Sequence, residues 1–180
     1  MKKIILTTAV VFLSLATSFA QNQSDNATLN VKLNAIQTIE VNAAQKTVDL
    51  IYNSAEDYSK GVSLEQTDHL KIYSTGAFFV TVKSDVNDIK RTNGKETIAA
   101  STIKIKASDG ATNKLSGATV GEASLSTTPT NIISSGVGGV NKNFNITYSG
   151  MGADAYVNKY FNDETPTTYS TIVTYTIAAQ

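Results

Sequence analysis

The chain has 180 residues, with 15 basic and 15 acidic side chains, a single histidine and no cysteine. This near-neutral balance gives no electrostatic footprint for nucleic acid or an anionic membrane surface, so we expect no nucleic-acid partner. Without cysteine there are no disulfides and no Cys/His metal sites, so stability must come from packing and backbone hydrogen bonds.

The start of the chain has the pattern of a secretory signal peptide. Two lysines precede a mainly apolar stretch over residues 4–19, and a Ser-Phe-Ala triplet favours cleavage before Gln21. A transmembrane anchor is the competing interpretation, but the stretch is short and diluted with Thr and Ser. We therefore expect residues 1–20 to be removed, leaving no membrane span. The mature protein is expected to be exported to the cell surface, the extracellular space or the periplasm.

Residues 27–43 alternate between apolar and polar side chains, the two-residue period of a strand with one buried face. An unbroken strand of this length would span roughly 55 Å, far beyond an ordinary strand. One interpretation divides the run near residues 34–37, giving an N-terminal extension (21–34) and the first strand of a domain (35–180). The alternative is one strand bent from sheet to sheet. The apolar positions of the first half are Ala27, Leu29, Val31, Leu33 and Ala35.

The mature chain as a whole predicts roughly eight short strands separated by turn residues such as Gly, Asn and Asp, with little helix. Strands are predicted over residues 47–52, 70–74, 78–82, 103–107, 144–148 and 169–177, among others, with an Asn93-Gly94 turn between two of them. The stretch 117–130 is predicted to be a small polar segment and 134–141 a glycine-rich loop. The expected fold is therefore all-β: an antiparallel, immunoglobulin-like β-sandwich with an N-terminal strand extension.

No residue constellation in the sequence indicates catalysis or a cofactor, and we expect neither an enzyme nor a cofactor site. His69 follows Asp68, but neighbouring strand residues face opposite ways, which favours a histidine at the solvent edge of a loop. The segment starting at Asp85 resembles a calcium loop, but Ile89 and Lys90 occupy the positions for an oxygen ligand and for glycine. The carboxylate pairs at 56–57 and 163–164 lie side by side, which indicates surface charge.

Three tyrosines in loop-like segments, Tyr58, Tyr156 and Tyr160, are the candidates for an exposed contact with a sugar. Because the chain contains no tryptophan, such a platform is expected to be weak.

The two ends of the mature chain resemble the N-terminal and last strands of secreted bacterial surface subunits of the spore coat protein U-like and fimbrial type. The resemblance covers residues 27–33 and 166–177. It implies an incomplete sandwich whose groove is filled by the extension of another subunit. Leu29, Val31 and Leu33 would then be the anchors, with Ala27 and Ala35 at the ends. Because such a contact runs head to tail, it would build a filament.

The first hypothesis is therefore a secreted structural or adhesive surface subunit that associates with itself or with related subunits by strand addition. The alternative is a secreted module that binds a glycan or cell-wall polymer as a monomer, with the long run bent across two sheets. A secreted hydrolase ranks third, because the sequence contains no recognisable set of catalytic residues.

Overall fold

The computed structural model describes residues 23–180, and the expected signal peptide lies outside this range. The described chain divides into two units between Leu33 and Asn34. Residues 23–33 of the first unit contain neither helix nor strand and are exposed. In the described part of the chain, no helix is long and apolar enough to cross a membrane.

The second unit is an antiparallel β-sandwich with one short helix, so the predicted all-β fold class is confirmed. Its strands are β1 (Gln37–Val41), β2 (Val62–Ser74), β3 (Phe78–Ser84), β4 (Asp88–Lys90), β5 (Thr97–Ala99), β6 (Ile103–Asp109), β7 (Thr119–Val120), β8 (Glu122–Ser124), β9 (Thr130–Ser135), β10 (Gly139–Gly150) and β11 (Val173–Ala179). The helix is α1 (Ala55–Lys60), and 3-10 turns cover Ala43–Gln45 and Ala100–Thr102.

Two sheets form the layers of the sandwich. One has the strand order β1-β2-β10-β6-β8, and the other has the order β11-β3-β9-β7. Strands β4 and β5 make a separate two-stranded hairpin around the predicted Asn93-Gly94 turn. The core lies between the two sheets, where alternating side chains of the inner strands meet.

Local alternation explains the inner strands well. In β3, Phe78, Val80 and Val82 face inward and are buried, whereas the residues between them are half-buried. In β6, Ile105 and Ala107 are buried and the intervening lysines are exposed. These two strands therefore follow the two-residue period that their sequences predict.

Three local predictions are wrong. Residues 47–52 form no strand. The stretch 130–135, placed between a polar segment and a glycine-rich loop, is strand β9, with the consecutive residues Ile132 and Ile133 both buried. The last strand begins at Val173, because Tyr169 forms only an isolated bridge with Arg91.

Helix α1 lacks an apolar helical period, and its start is stabilised by capping. The Ser54 hydroxyl accepts a hydrogen bond from the Asp57 amide, and the Asp57 carboxylate accepts bonds from the amides of Asn53 and Ser54. This capping box satisfies amides that a helix start otherwise leaves unpaired. The same hydrogen bonds hold the pKa of Asp57 below its usual value. The helix therefore presents its one aromatic residue, Tyr58, at a fixed place.

Candidate functional site

The residues predicted to be partner anchors are exposed. Leu29, Val31 and Leu33 are 89%, 76% and 89% exposed, and Ala27 and Ala35 are exposed as well. Strand pairing begins only after them. The Thr75 amide donates to the Ile36 carbonyl, the Ile36 amide donates to the Thr75 hydroxyl, and β1 starts at Gln37. A regular row of exposed large apolar side chains is unusual on a folded protein, so this row is a candidate interaction segment.

One side of the sandwich is bounded by two edge strands. Strand β1 pairs only with β2, and β11 pairs only with β3 among the described residues. The two edge strands lie close to each other across the sandwich. We call β1, β11 and residues 46–52 together the open side.

The inward side chains of the open side are incompletely covered. In the inner strands, Ile72 is 1% exposed and Val80 is 0% exposed. Their cross-strand neighbours, Ile39 on β1 and Ile177 on β11, pack against the same core but remain half-buried. The other half-buried apolar residues of the open side are Val41, Val48, Leu50, Val173 and Tyr175. The core therefore reaches the surface along this side.

Residues 46–52 have the side chains of a strand without its pairing. Val48 and Leu50 pack against the core, whereas Asp49 and Ile51 between them are exposed. No hydrogen bond to the main chain of residues 46–52 is formed within the described part of the structure. Such a segment has amides and carbonyls free to pair with another extended chain.

The strand order identifies what the open side lacks. An immunoglobulin sandwich packs strands A, B, E and D against C, F and G, with F between C and G. In chain order, β1, β2, β3, β6, β10 and β11 take the places of A to F. Among the described residues β11 pairs only with β3, so its other edge, where strand G lies in an immunoglobulin sandwich, is unpaired.

A buried polar network connects the two rims of the open side. The Gln45 side chain contacts Nδ1 of His69 at 3.0 Å, and His69 Nε2 lies 2.8 Å from the Tyr148 hydroxyl. That hydroxyl lies 2.7 Å from the Tyr175 hydroxyl on β11. Burial lowers the pKa of His69 and raises the pKa values of Tyr148 and Tyr175. All four groups are therefore neutral near pH 7.

The prediction of a solvent-edge His69 is wrong, because a β-bulge turns this residue inward. The register of β10 against β2 shifts between Phe144 and Ile146, and Asp68 has a left-handed φ of 50°. The Asp68 carboxylate accepts hydrogen bonds from Thr112, so it does not orient the imidazole. His69 thus meets tyrosine and glutamine and works as a buried hydrogen-bonding residue.

The acidic segments singled out in the sequence serve structural contacts. Asp85 accepts hydrogen bonds from the Thr171 hydroxyl and the Ile172 amide, which hold its pKa below the usual value. Glu96 and Asp163 each lie 2.8 Å from the guanidinium of Arg91. Between residues 23 and 180, no group of three acidic or histidine side chains is placed to hold a metal ion.

Arg91 links two segments of the sandwich domain through ion pairs and stacking. Its guanidinium pairs with Glu96 and Asp163 and stacks over the ring of Phe161, with 4.3 Å between the guanidinium carbon and the ring centroid. The contacts join the β4–β5 hairpin to the loop before β11. We call this set of residues the Arg91 cluster.

The three loop tyrosines lie near one another but differ in exposure. Tyr156 is buried, and its hydroxyl contacts the Thr102 hydroxyl at 2.6 Å, so the prediction of an exposed contact is wrong for this residue. Tyr160 is 52% exposed and Tyr58 is half-buried. They border a shallow cleft of about 340 Å³, which we call the tyrosine cleft. Its lining consists of Ala55, Tyr58, Asp154, Tyr156, Val157, Asn158 and Tyr160.

Comparison with known proteins adds no assignment to these two sites. No protein-family model matches the chain, and no curated protein matches it. The open side and the tyrosine cleft are thus the features from which a function can be inferred.

Proposed function

We propose that this protein is a secreted structural or adhesive cell-surface subunit that assembles by β-strand addition. The extension of one copy, residues 21–34, would pair beside β11 of the next copy. One observation carries this proposal: β11 is an edge strand with half-buried apolar side chains, and its unpaired edge is where the last strand of an immunoglobulin sandwich would lie.

The donor and the acceptor match in length and pattern. Residues 27–33 and strand β11 are both seven residues long, so each spans roughly 23 Å when extended. An extended chain over residues 27–33 places Leu29, Val31 and Leu33 on one face. That face would cover the half-buried side chains of β11, while the donor main chain pairs with the free edge of the strand.

The burial of three anchors would contribute a large part of the free energy of association. Fully burying a Leu or Val side chain stabilises by about 1.5–3 kcal/mol, so Leu29, Val31 and Leu33 together contribute on the order of 4–9 kcal/mol. Main-chain hydrogen bonds to β11 add roughly 1 kcal/mol each. These gains must offset an association cost of about 4–15 kcal/mol, so the anchors and the main-chain hydrogen bonds are both needed for association.

The symmetry of the contact decides the kind of assembly. Donor and acceptor are different surfaces of the chain, so each copy can give one strand and receive one. A contact of this kind is head-to-tail and extends into a filament unless its rotation closes a ring. The expected partner is therefore a second copy of the chain or a related subunit with the same open side.

Deleting residues 21–34 tests the donor role directly. The chain from Gln21 should form polymers whose mass rises with protein concentration, whereas the chain from Ala35 should remain monomeric. Multi-angle light scattering after size-exclusion chromatography measures both. If the truncated chain polymerises like the longer one, the donor role is wrong. If the longer chain is a monomer and truncation only destabilises it, the extension pairs within its own domain.

A synthetic peptide of residues 23–36 tests the acceptor. It should bind the chain from Ala35 with a stoichiometry of one and raise its melting temperature. A peptide with Leu29→Asn and Val31→Asn should lose this binding, because both changes fall on the anchor face. The matched control carries Thr28→Asn and Lys32→Asn on the opposite face and should bind like the parent. Calorimetric titration that finds no difference between the two variants would contradict the proposed anchors.

A further inference from the structure

We infer that the tyrosine cleft is a binding site for a neutral pyranose segment of a polysaccharide. The lining of this cleft shares no residue with the open side, although Tyr52 at the end of residues 46–52 packs behind it. The inference does not depend on strand addition. It would give each subunit its own adhesive contact, whether or not subunits polymerise.

The walls of the cleft are aromatic. Tyr58 comes from α1, and Tyr160 comes from the loop between β10 and β11. The ring of Tyr52 meets that of Tyr58 at a centroid distance of 5.3 Å and that of Tyr156 at 5.1 Å, so tyrosines also pack behind the cleft. A volume of about 340 Å³ is within the range of small-ligand sites. Flat, amphipathic rings at the surface offer an apolar face to the C–H groups of a sugar.

Two polar side chains stand at the rim of this aromatic surface. Asp154 and Asn158 are exposed and line the cleft. Neither side chain makes a hydrogen bond or an ion pair with another residue of the described range 23–180. A carboxylate offers acceptors only, and an amide offers both donors and an acceptor. Together they can bind neighbouring sugar hydroxyls, which act as donor and acceptor at once.

The cleft is held in place before any ligand arrives. The amides of Ala153 and Asp154 donate to the carbonyls of Ser59 and Tyr58, at 2.7 and 2.9 Å. The Tyr52 hydroxyl donates to the carbonyl of Met151 at 2.9 Å, and the Tyr156 hydroxyl is bound to Thr102. These bonds attach the loop to α1 and to the sandwich. A pre-organised site loses less conformational entropy on binding than a mobile loop does.

The charge of the cleft selects a neutral ligand. Its lining includes the carboxylate of Asp154 and no lysine or arginine. An anionic sugar would meet a like charge without a compensating cation. A β-linked glucose or N-acetylglucosamine unit has its ring substituents equatorial, which leaves an apolar face for a tyrosine ring and hydroxyls at the ring edge.

Calorimetric titration of the chain from Gln21 with cellohexaose, chitohexaose and hexagalacturonate tests the inference. At least one neutral hexasaccharide should bind, with weaker or no binding of the anionic one. Tyr160→Ala should weaken binding by about tenfold, as expected for the loss of one aromatic contact. Asp154→Asn should weaken it less, because the amide keeps acceptor capacity. Asparagine also tolerates the left-handed φ of 57° at this position, so the backbone is preserved.

The matched control is Tyr73→Ala on β2, a half-buried tyrosine that does not line the cleft. It should bind like the parent chain, and melting curves should show all three variants folded. No binding of either neutral hexasaccharide, or equal binding by Tyr160→Ala, would overturn the inference. The inference would also be overturned if the amide NMR signals of the cleft shifted with protein concentration and not with added sugar. A second copy of the chain would then occupy the cleft.

Discussion

The inner and edge strands of this sandwich contribute comparable apolar residues to one core but cover them differently. Ile72 and Ile39 are cross-strand neighbours on β2 and β1, yet Ile72 is fully buried and Ile39 is half-buried. Val80 and Ile177 show the same contrast on β3 and β11. The pairs show that this core is closed along its centre and only partly covered along one rim, which is where the proposed assembly would add a strand.

The largest loss of stability is expected from shortening Ile72, the residue on the inner strand β2. Ile72→Ala should lower the free energy of unfolding by about 2–5 kcal/mol, because it leaves a cavity in a fully packed core. Ile39→Ala should cost less, about 1–2 kcal/mol, since water already reaches part of that side chain. Urea denaturation of the chain from Ala35 measures both values.

Binding of the extension peptide should change the cost of a substitution on an edge strand but not on an inner strand. If the peptide of residues 23–36 pairs beside β11, it should increase the cost of Ile177→Ala, because that half-buried side chain becomes covered. The cost of Ile72→Ala should stay the same. Without peptide, an equal cost for Ile72→Ala and Ile39→Ala would mean that the core is covered as well at β1 as at β2.

The Arg91 cluster differs from the open side in the interactions that hold it together. Ion pairs and stacking on Phe161 join its segments. Arg91→Ala should lower the melting temperature several times more than Lys104→Ala. Arg91 is almost buried and holds two carboxylates and Phe161, so its removal leaves the carboxylates without their cation. The Lys104–Glu122 pair is exposed and is expected to contribute at most about 1 kcal/mol.

Differential scanning calorimetry of the two variants checks this ranking. Neither change should alter binding of the 23–36 peptide, since neither residue lies on the open side. A shift for Arg91→Ala that is no larger than that of Lys104→Ala would show that the cluster adds little to the fold.

The fold class was predictable because alternation is a local property. Strands β3 and β6 repeat every two residues, and the Asn93-Gly94 turn has the composition that tight turns require. Strand β9 was missed because Ile132 and Ile133 are both buried, with a register shift against β3 that breaks the period. Bulges depend on the partner strand, so one segment read alone does not show them.

Of the proposed strand-addition site, only the donor segment could be suggested from the sequence, and its role stays a prediction. The exposed row from Leu29 to Leu33 is visible in the sequence as an alternating run that is too long for one strand. Its acceptor depends on which strand ends up at the sheet edge, and that is settled by contacts between distant segments. The inward turn of His69 at the Asp68 bulge was missed for the same reason.

The smallest expected effect concerns pH and the network that joins the two rims. Burial lowers the pKa of His69 below the ordinary 6.5, so the unfolded chain binds a proton more readily than the folded one. Stability contributed by the neutral imidazole is therefore present above about pH 6.5 and is lost as the pH falls below it. Asp57, Asp68, Asp85 and Glu96 have lowered pKa values too, but their contribution is lost only at more acidic pH, near and below about 4.

The window between pH 7 and pH 5 thus isolates His69, the only histidine of the chain. The urea midpoint of the chain from Ala35 should fall across this window, and the NMR signal of the His69 ring should titrate below pH 6.5. His69→Gln removes the titrating group and should flatten the dependence, although it also weakens the contact to Tyr148. An unchanged slope in His69→Gln would place the pH dependence elsewhere. A normal ring titration would mean that solvent reaches the link between β2 and β11.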